Sequence, residues 1–331
     1  MAPVRILLAH TPDMRRNYYG ERALAGLRAL GDVALHEGAE PLQGEAFAAA
    51  ARGAQVIVAD RNSPGAAVVF ERSPDLVAFV RCAVDIRNVD VPAASAQGVL
   101  VTRASAGFVP AVTELVMGFL VDLSRGVSRA TAEYHAGTVP AALMGRQLAS
   151  STLGVIGYGV IGRRVAAMGV ALGMRVLVSD PQASVEESGI EQVEFGALLE
   201  GSDYVVCLAI AIPETENLMN DAAFARVKPG ASFVNVSRGN LVDEAALARA
   251  LDSGRIRGAA MDVGRAPDQM PTPALARRPD VIATPHVGGL TPQAIEHQAL
   301  ETVAQVAEIV KGRAPKGAVN TQQATRLPRL A

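Results

Sequence analysis

A chain of 331 residues, half of them hydrophobic and 19% charged, holds material for two cores rather than one. Its net charge is -2 and its lysines and arginines are scattered rather than blocked, which leaves no footprint for nucleic acid or an anionic membrane. Cys82 and Cys207 sit in apolar runs without any ligand spacing, so they read as buried free thiols of a cytoplasmic protein, and no metal site is expected.

The opening "MAPVRILLAH" is too short an apolar stretch for a signal peptide and carries no cleavage pattern. The run "ELVMGFLVDL" (114–123) is interrupted by Asp122 and falls below the ~20 residues that a membrane span needs. From the start, β-rich runs alternate with alanine- and leucine-rich stretches of helical spacing. "VRILLAH" (4–10), "DVALHEG" (32–38), "AQVIVAD" (54–60), "LVAFVRCAV" (76–84) and "VLVTRAS" (99–105) read as strands, with helices such as 21–30 and 44–53 between them. One long helix is expected from about Pro110 to Ala136, with proline in its first turn. The alternation then resumes with strands at 151–157, 175–180, 203–210, 231–237, 257–262 and 281–286. A last amphipathic helix runs from about Thr291 to Lys311, and the tail after Gly312 reads as a loose strap. Strand–helix alternation of this kind predicts α/β architecture with parallel sheets covered on both faces.

"LGVIGYGVIGRRVA" (153–166) places Gly157, Gly159 and Gly162 directly after a predicted strand and at the start of a predicted helix. That context sharpens an otherwise weak triple-glycine pattern into a dinucleotide site. Gly157 permits the tight turn, Gly159 lets the backbone approach a pyrophosphate, and Gly162 lets helix and strand pack closely. The first helical N–H groups, with Val160 and Ile161 flanking them, are offered to phosphate oxygens. Asp180 ends the next strand; a carboxylate there binds ribose hydroxyls and repels a 2′-phosphate, which favours NAD over NADP. Gly157, Asp180, Arg238, Asp262 and His286 all fall at predicted carboxyl ends of strands, where ligands bind in open α/β sheets.

"NVSRGNLVDEAAL" (235–247) and "TPHVGG" (284–289) add an arginine and a histidine to that edge. An arginine fork holds a carboxylate at two points, and an imidazole exchanges a proton near neutrality. Taken singly, Arg238 reads equally well as a surface arginine and His286 as a hydrogen-bonded core histidine. Together with the glycine turn they suggest oxidoreduction between a nicotinamide and a hydroxy acid.

At these three segments, and in their order, the chain resembles the D-isomer-specific 2-hydroxyacid dehydrogenases, the family that includes phosphoglycerate, glyoxylate and D-lactate dehydrogenases. The resemblance runs from about Leu76 to Asn320. It implies Arg238 as the substrate-binding and polarising arginine, His286 as acid/base, and Asp262 near the nicotinamide amide. It also implies a substrate loop matching "RCAVDIRNVD" (81–90), with Ala83, Val84 and Asp85 beside the substrate. The implied fold is a central Rossmann NAD-binding domain, 104–290, and a smaller, split, flavodoxin-like substrate domain, 1–103 with 291–331. A homodimer made through the nucleotide domain is implied likewise.

The chain departs from the family pattern at three places. Ala83 and Asp85 stand where the substrate loop usually has two glycines, and an acid there discourages a plain anionic substrate unless Arg81 or Arg87 compensates it. Ile210 replaces a common proline. Pro267 stands where a glutamate usually pairs with the histidine, with Asp268 and Asp85 as conceivable substitutes. Two function classes follow: an active NAD-dependent 2-hydroxyacid dehydrogenase or 2-keto acid reductase, and a non-catalytic NAD-binding regulator of the same fold. Retention of both Arg238 and His286 favours the first. A formate-dehydrogenase-like site using Gln269 is a more distant reading.

Overall fold

The computed structural model describes residues 3–330. They form two compact units, one of residues 3–107 with 292–330 and the other of residues 108–291.

The first unit holds a parallel sheet of β1 (Arg5–Leu8), β2 (Asp32–Leu35), β3 (Val56–Ala59), β4 (Ala78–Arg81) and β5 (Leu100–Arg103), in the order β2-β1-β3-β4-β5. Alternate residues go to opposite faces, as the two-residue period of a strand requires. Ile6, Leu8, Val56 and Val58 therefore join one core, while Leu7, Ile57 and Ala59 join another with Phe47, Phe70 and Phe79. The helix Pro292–Ile309 returns to this unit and packs on the first of those cores through Ala299, Val306 and Ile309. The Tyr19 hydroxyl meets that of Thr302 at 2.9 Å, tying the helix to the amino-terminal segment.

The carboxyl-terminal tail is not the loose strap that its composition suggests. Val319 N–H donates to the Val101 carbonyl at 3.0 Å, and the Asn320 side chain bonds Val101 N–H at 2.8 Å and the Val99 carbonyl at 2.9 Å. Leu327 and Leu330 are buried beyond it. The edge strand β5 thus finds partners for main-chain groups that would otherwise face water.

The second unit holds seven parallel strands, β6 (Thr152–Ile156), β7 (Arg175–Ser179), β8 (Ile190–Gln192), β9 (Tyr204–Cys207), β10 (Ala231–Asn235), β11 (Ile256–Met261) and β12 (Val281–Ala283). Their order is β12-β11-β10-β9-β6-β7-β8, so the direction of winding reverses between β9 and β6. Phe233 packs edge-on against Phe224 at 5.4 Å on one face, while its neighbour Val234 joins the opposite core with Val155, Val206 and Ala260. Both residues are fully buried, and each such side chain contributes about 1.5–3 kcal/mol over leaving it in water.

The single long helix expected over 110–136 is two helices, Val109–Arg125 and Val127–His135. Gly126 separates them in a left-handed conformation, φ 65°, which ends the first helix where an L side chain would have continued it. The predicted strands are present but shorter at their carboxyl ends, where the polar residues counted as strand belong to the following turns. Among the described residues no helix is long and apolar enough to cross a membrane.

Candidate active site

Five of the strand exits along the carboxyl edge of the second sheet carry the residues singled out from the sequence. Gly157 follows β6 directly, Asp180 follows β7 and Asp262 follows β11. Arg238 and His286 lie a short turn beyond β10 and β12. The strand order therefore sets His286, Asp262, Arg238, Gly157 and Asp180 in that sequence along one edge, with the exit of β9 between Arg238 and Gly157.

At the glycine turn the protein itself demands two of the three glycines. Gly157 has φ 94°, and a Cβ there would lie 2.7 Å from the backbone of Leu208 and Ala209. A Cβ on Gly162 would meet the Gly157 carbonyl oxygen at 2.1 Å, so strand and helix touch through backbone alone. Gly159 differs: its Cβ would meet nothing within 4 Å. Open space over Gly159, at the start of the helix Val160–Ala171 and with no side chain capping that start, is a cradle into which a phosphate fits. Asp180 receives the Tyr158 N–H on Oδ2 at 2.7 Å and the Gln182 N–H on Oδ1 at 2.9 Å. These bonds fix the carboxylate beside the glycine turn while leaving each oxygen a further lone pair. Arg163, in the first turn of that helix, lies over the Tyr158 ring at 4.5 Å and pairs with Glu187 at 2.7 Å. Val160 and Ile210 expose 64% and 70% of their surface at this edge, more apolar area than a solvated turn would keep.

Arg238 is positioned by Asn235, the fully buried last residue of β10. Asn235 Oδ1 accepts the Ser237 N–H at 3.1 Å, and its Nδ2 donates to the Arg238 carbonyl at 2.9 Å. Ser237 Oγ in turn donates to the Ala209 carbonyl at 2.7 Å, fastening this turn to the exit of β9. Arg238 is half-buried and directs Nη1 to the Ser237 carbonyl at 2.7 Å. Next to it, a Cβ on Gly239 would fall 2.0 Å from the Gly264 carbonyl oxygen, so two turns of the edge meet there.

The histidine lies beyond the strand that was expected to carry it. β12 ends at Ala283, and His286 occupies a turn with φ 55°. Asp262 organises that turn. The carboxylate is almost wholly buried, and its Oδ1 accepts the Thr284 hydroxyl at 2.6 Å and the Val287 N–H at 2.8 Å, while Oδ2 accepts the Gly288 N–H at 2.8 Å. His286 Nδ1 lies 2.9 Å from the carbonyl oxygen of Asp268. A carbonyl only accepts, so this contact is a hydrogen bond in the tautomer that carries the proton on Nδ1.

Ala83, Val84 and Asp85 lie in the first unit, in the turn after β4. The last residue of β4, Arg81, is 1% exposed and spends its guanidinium on main-chain carbonyls, those of Ser63 at 3.1 Å, Arg61 at 3.3 Å and Asp85 at 3.2 Å, together with that of Asp60 and the Asn88 side chain. It is Arg87 that meets the Asp85 carboxylate, with Nε 3.0 Å from both oxygens and Nη2 2.5 Å from Oδ2. The arginine pKa is raised by that bond. The acid in this turn is thus charge-compensated by Arg87.

Asn235, Thr284 and the Asp268 carbonyl were not among the residues read from the sequence. Asn235 carried a usable signal, an Asx residue at a strand end two positions before a serine. The Asp268 carbonyl carried none.

The D-isomer specific 2-hydroxyacid dehydrogenase, NAD binding domain family matches residues 117–288 of this chain. Rat D-3-phosphoglycerate dehydrogenase is 36% identical over 262 residues, covering 78% of this chain and 49% of the relative. The enzyme of that name from Synechocystis is 32% identical over 256 residues, covering 76% and 46%. The chain therefore spans about half the length of the curated relatives it matches. Among solved structures, the apo D-lactate dehydrogenase of Escherichia coli superposes with a TM-score of 0.80 at 26% identity, covering 96% of this chain and 100% of that one.

Proposed function

The chain belongs to the D-isomer-specific 2-hydroxyacid dehydrogenases, and from that premise we propose that it is an NAD-dependent oxidoreductase interconverting a 2-hydroxy acid and a 2-keto acid. NAD is its cofactor and supplies the hydride acceptor, or in the reduced form the donor, at the substrate's second carbon. The first-turn N–H groups around Gly159, Val160, Ile161 and Gly162 bind the pyrophosphate, and Asp180 takes the ribose hydroxyls. Arg238 grips the substrate carboxylate and polarises its carbonyl oxygen. His286 gives a proton to that oxygen in reduction and removes it in oxidation. Asp262 belongs with the cofactor-side residues and holds the histidine turn. In the first unit, the loop of Ala83, Val84 and Asp85 is the substrate-contacting segment.

The observation that carries this reading is the single sheet edge along which the Asp180 carboxylate, the open glycine turn at Gly159, Arg238 and the His286 imidazole follow one another in that order. The test is Arg238→Lys, which keeps the charge and loses the fork. It is expected to raise KM for a 2-keto acid and lower kcat together. A change in KM alone would reduce Arg238 to a binding role, and tight NAD binding without any turnover would favour a non-catalytic regulator.

The reading includes a homodimer in the cytoplasm. Val121, Val127, Met168 and Leu172, each at least 40% exposed, line one shallow apolar patch on the second unit. A second copy of this face is the natural cover for that apolar surface. Light scattering on the purified protein decides between one copy and two.

A further inference from the structure

Three of the four non-glycine residues with positive φ among the described residues are Asp268, Gln269 and His286, at 56°, 58° and 55°. Two of them are consecutive, in the loop that meets the third. Aspartate and histidine tolerate this region better than most side chains, but glutamine avoids it, so Gln269 beside Asp268 keeps it only where its surroundings hold it.

The surroundings do hold it. Gly264 N–H donates to the Gln269 carbonyl at 2.8 Å, and Ala266 N–H donates to that of Met270 at 3.0 Å, closing the loop on itself. Glu244 clamps both ends, accepting the Arg265 N–H at 3.0 Å and the Thr272 hydroxyl at 2.6 Å. The Arg265 guanidinium reaches the Val242 carbonyl at 3.1 Å and the Glu216 carboxylate at 2.9 Å. The result is that the Asp268 carbonyl oxygen stands 2.9 Å from His286 Nδ1. Pro267, just before it, has no side-chain group able to make that bond.

We propose that the main-chain carbonyl of Asp268 is the positioning group of His286, holding Nδ1 as the protonated nitrogen so that proton exchange with substrate runs through Nε2. The proposal rests on the reading of His286 as acid/base, but its structural half is measurable without substrate or cofactor. It makes the backbone conformation at Asp268 matter and its carboxylate dispensable.

The experiment is two-bond ¹H–¹⁵N correlation of the full chain labelled with ¹⁵N-histidine, at a pH well above the ordinary imidazole range, with His286→Gln assigning the signal. The neutral ring of His286 is expected in the Nδ1–H form. Asp268→Asn, which tolerates positive φ, keeps that form and keeps kcat for keto-acid reduction within about twofold. Asp268→Val, β-branched and averse to positive φ, loses it and lowers kcat about tenfold or more, while NADH affinity is unchanged. An Nε2–H ring in the unsubstituted protein overturns the proposal. So does loss of the Nδ1–H form in Asp268→Asn, which would make the carboxylate the partner. These two results stand even if Asp268→Val fails to fold. If the Nδ1–H form is found but no 2-keto acid is reduced, the positioning role holds and the catalytic reading fails.

Discussion

The Gly288 N–H donates to Oδ2 of Asp262 at 2.8 Å, and the opposite oxygen of that buried carboxylate takes the Thr284 hydroxyl and the Val287 N–H. The residue before Val287 is the histidine. One acid at the end of β11 thus sets the shape of the turn at the end of β12, and it does so by accepting only.

Asp262→Asn conserves the size of the side chain and replaces one acceptor oxygen by a donor. A main-chain N–H then faces another N–H in a dry site. The expected cost is about 1–3 kcal/mol in unfolding by urea, with kcat falling because His286 loses its place. A variant of unchanged stability and activity would show that the turn holds itself.

Gly159 and Gly162 separate binding from folding. Gly162→Ala forces a methyl group against the Gly157 carbonyl at 2.1 Å, so it should destabilise the protein by about 1–3 kcal/mol or more. Gly159→Ala adds its methyl to open space at φ -70° and should leave the melting temperature unchanged. NAD affinity should nevertheless fall, because that space is the cradle. Thermal melts beside NADH fluorescence titrations distinguish the two effects.

Much of this site was legible in advance because its parts are local. The glycine turn follows its strand within a few residues, and Arg238 and His286 lie in short motifs beside strand exits. What escaped depends on distant partners. Nothing near His286 announces that a carbonyl of the loop after β11 will meet its ring, or that Asp262 will bind the turn after β12. The helix break at Gly126 was hidden because the apolar spacing continues on both sides of it. The ordered tail was hidden because Asn320 acts on the edge of a strand two hundred residues earlier in the chain.

Cofactor choice should follow Asp180. NAD(H) is expected to bind much more tightly than NADP(H), and Asp180→Ala should narrow the difference by about tenfold, roughly 1.4 kcal/mol. Because the carboxylate also receives the Tyr158 and Gln182 N–H groups, NAD affinity itself should drop in the variant. Parallel fluorescence titrations with both cofactors check this; an unchanged ratio would remove Asp180 from the selectivity filter.

In the first unit, burial lowers the His10 pKa from 6.5 to about 4, against the opposing pull of Asp60. The unfolded chain therefore binds the proton more readily than the folded one. Stability from this residue is present above pH 6.5 and is lost as pH falls from there towards about 4. Urea midpoints measured across that range should slope downward with acid, and His10→Gln should flatten the slope. Parallel slopes for both proteins would assign the acid loss to other groups.

The most direct test of the whole account is the loss of NADH absorbance with a panel of 2-keto acids, run side by side on the unsubstituted protein and His286→Gln, with NADH binding measured on both. The account predicts that at least one 2-keto acid is reduced, and that His286→Gln lowers kcat by about a hundredfold or more while NADH still binds. Equal turnover by the two proteins, or tight NADH binding with no 2-keto acid reduced, would contradict it.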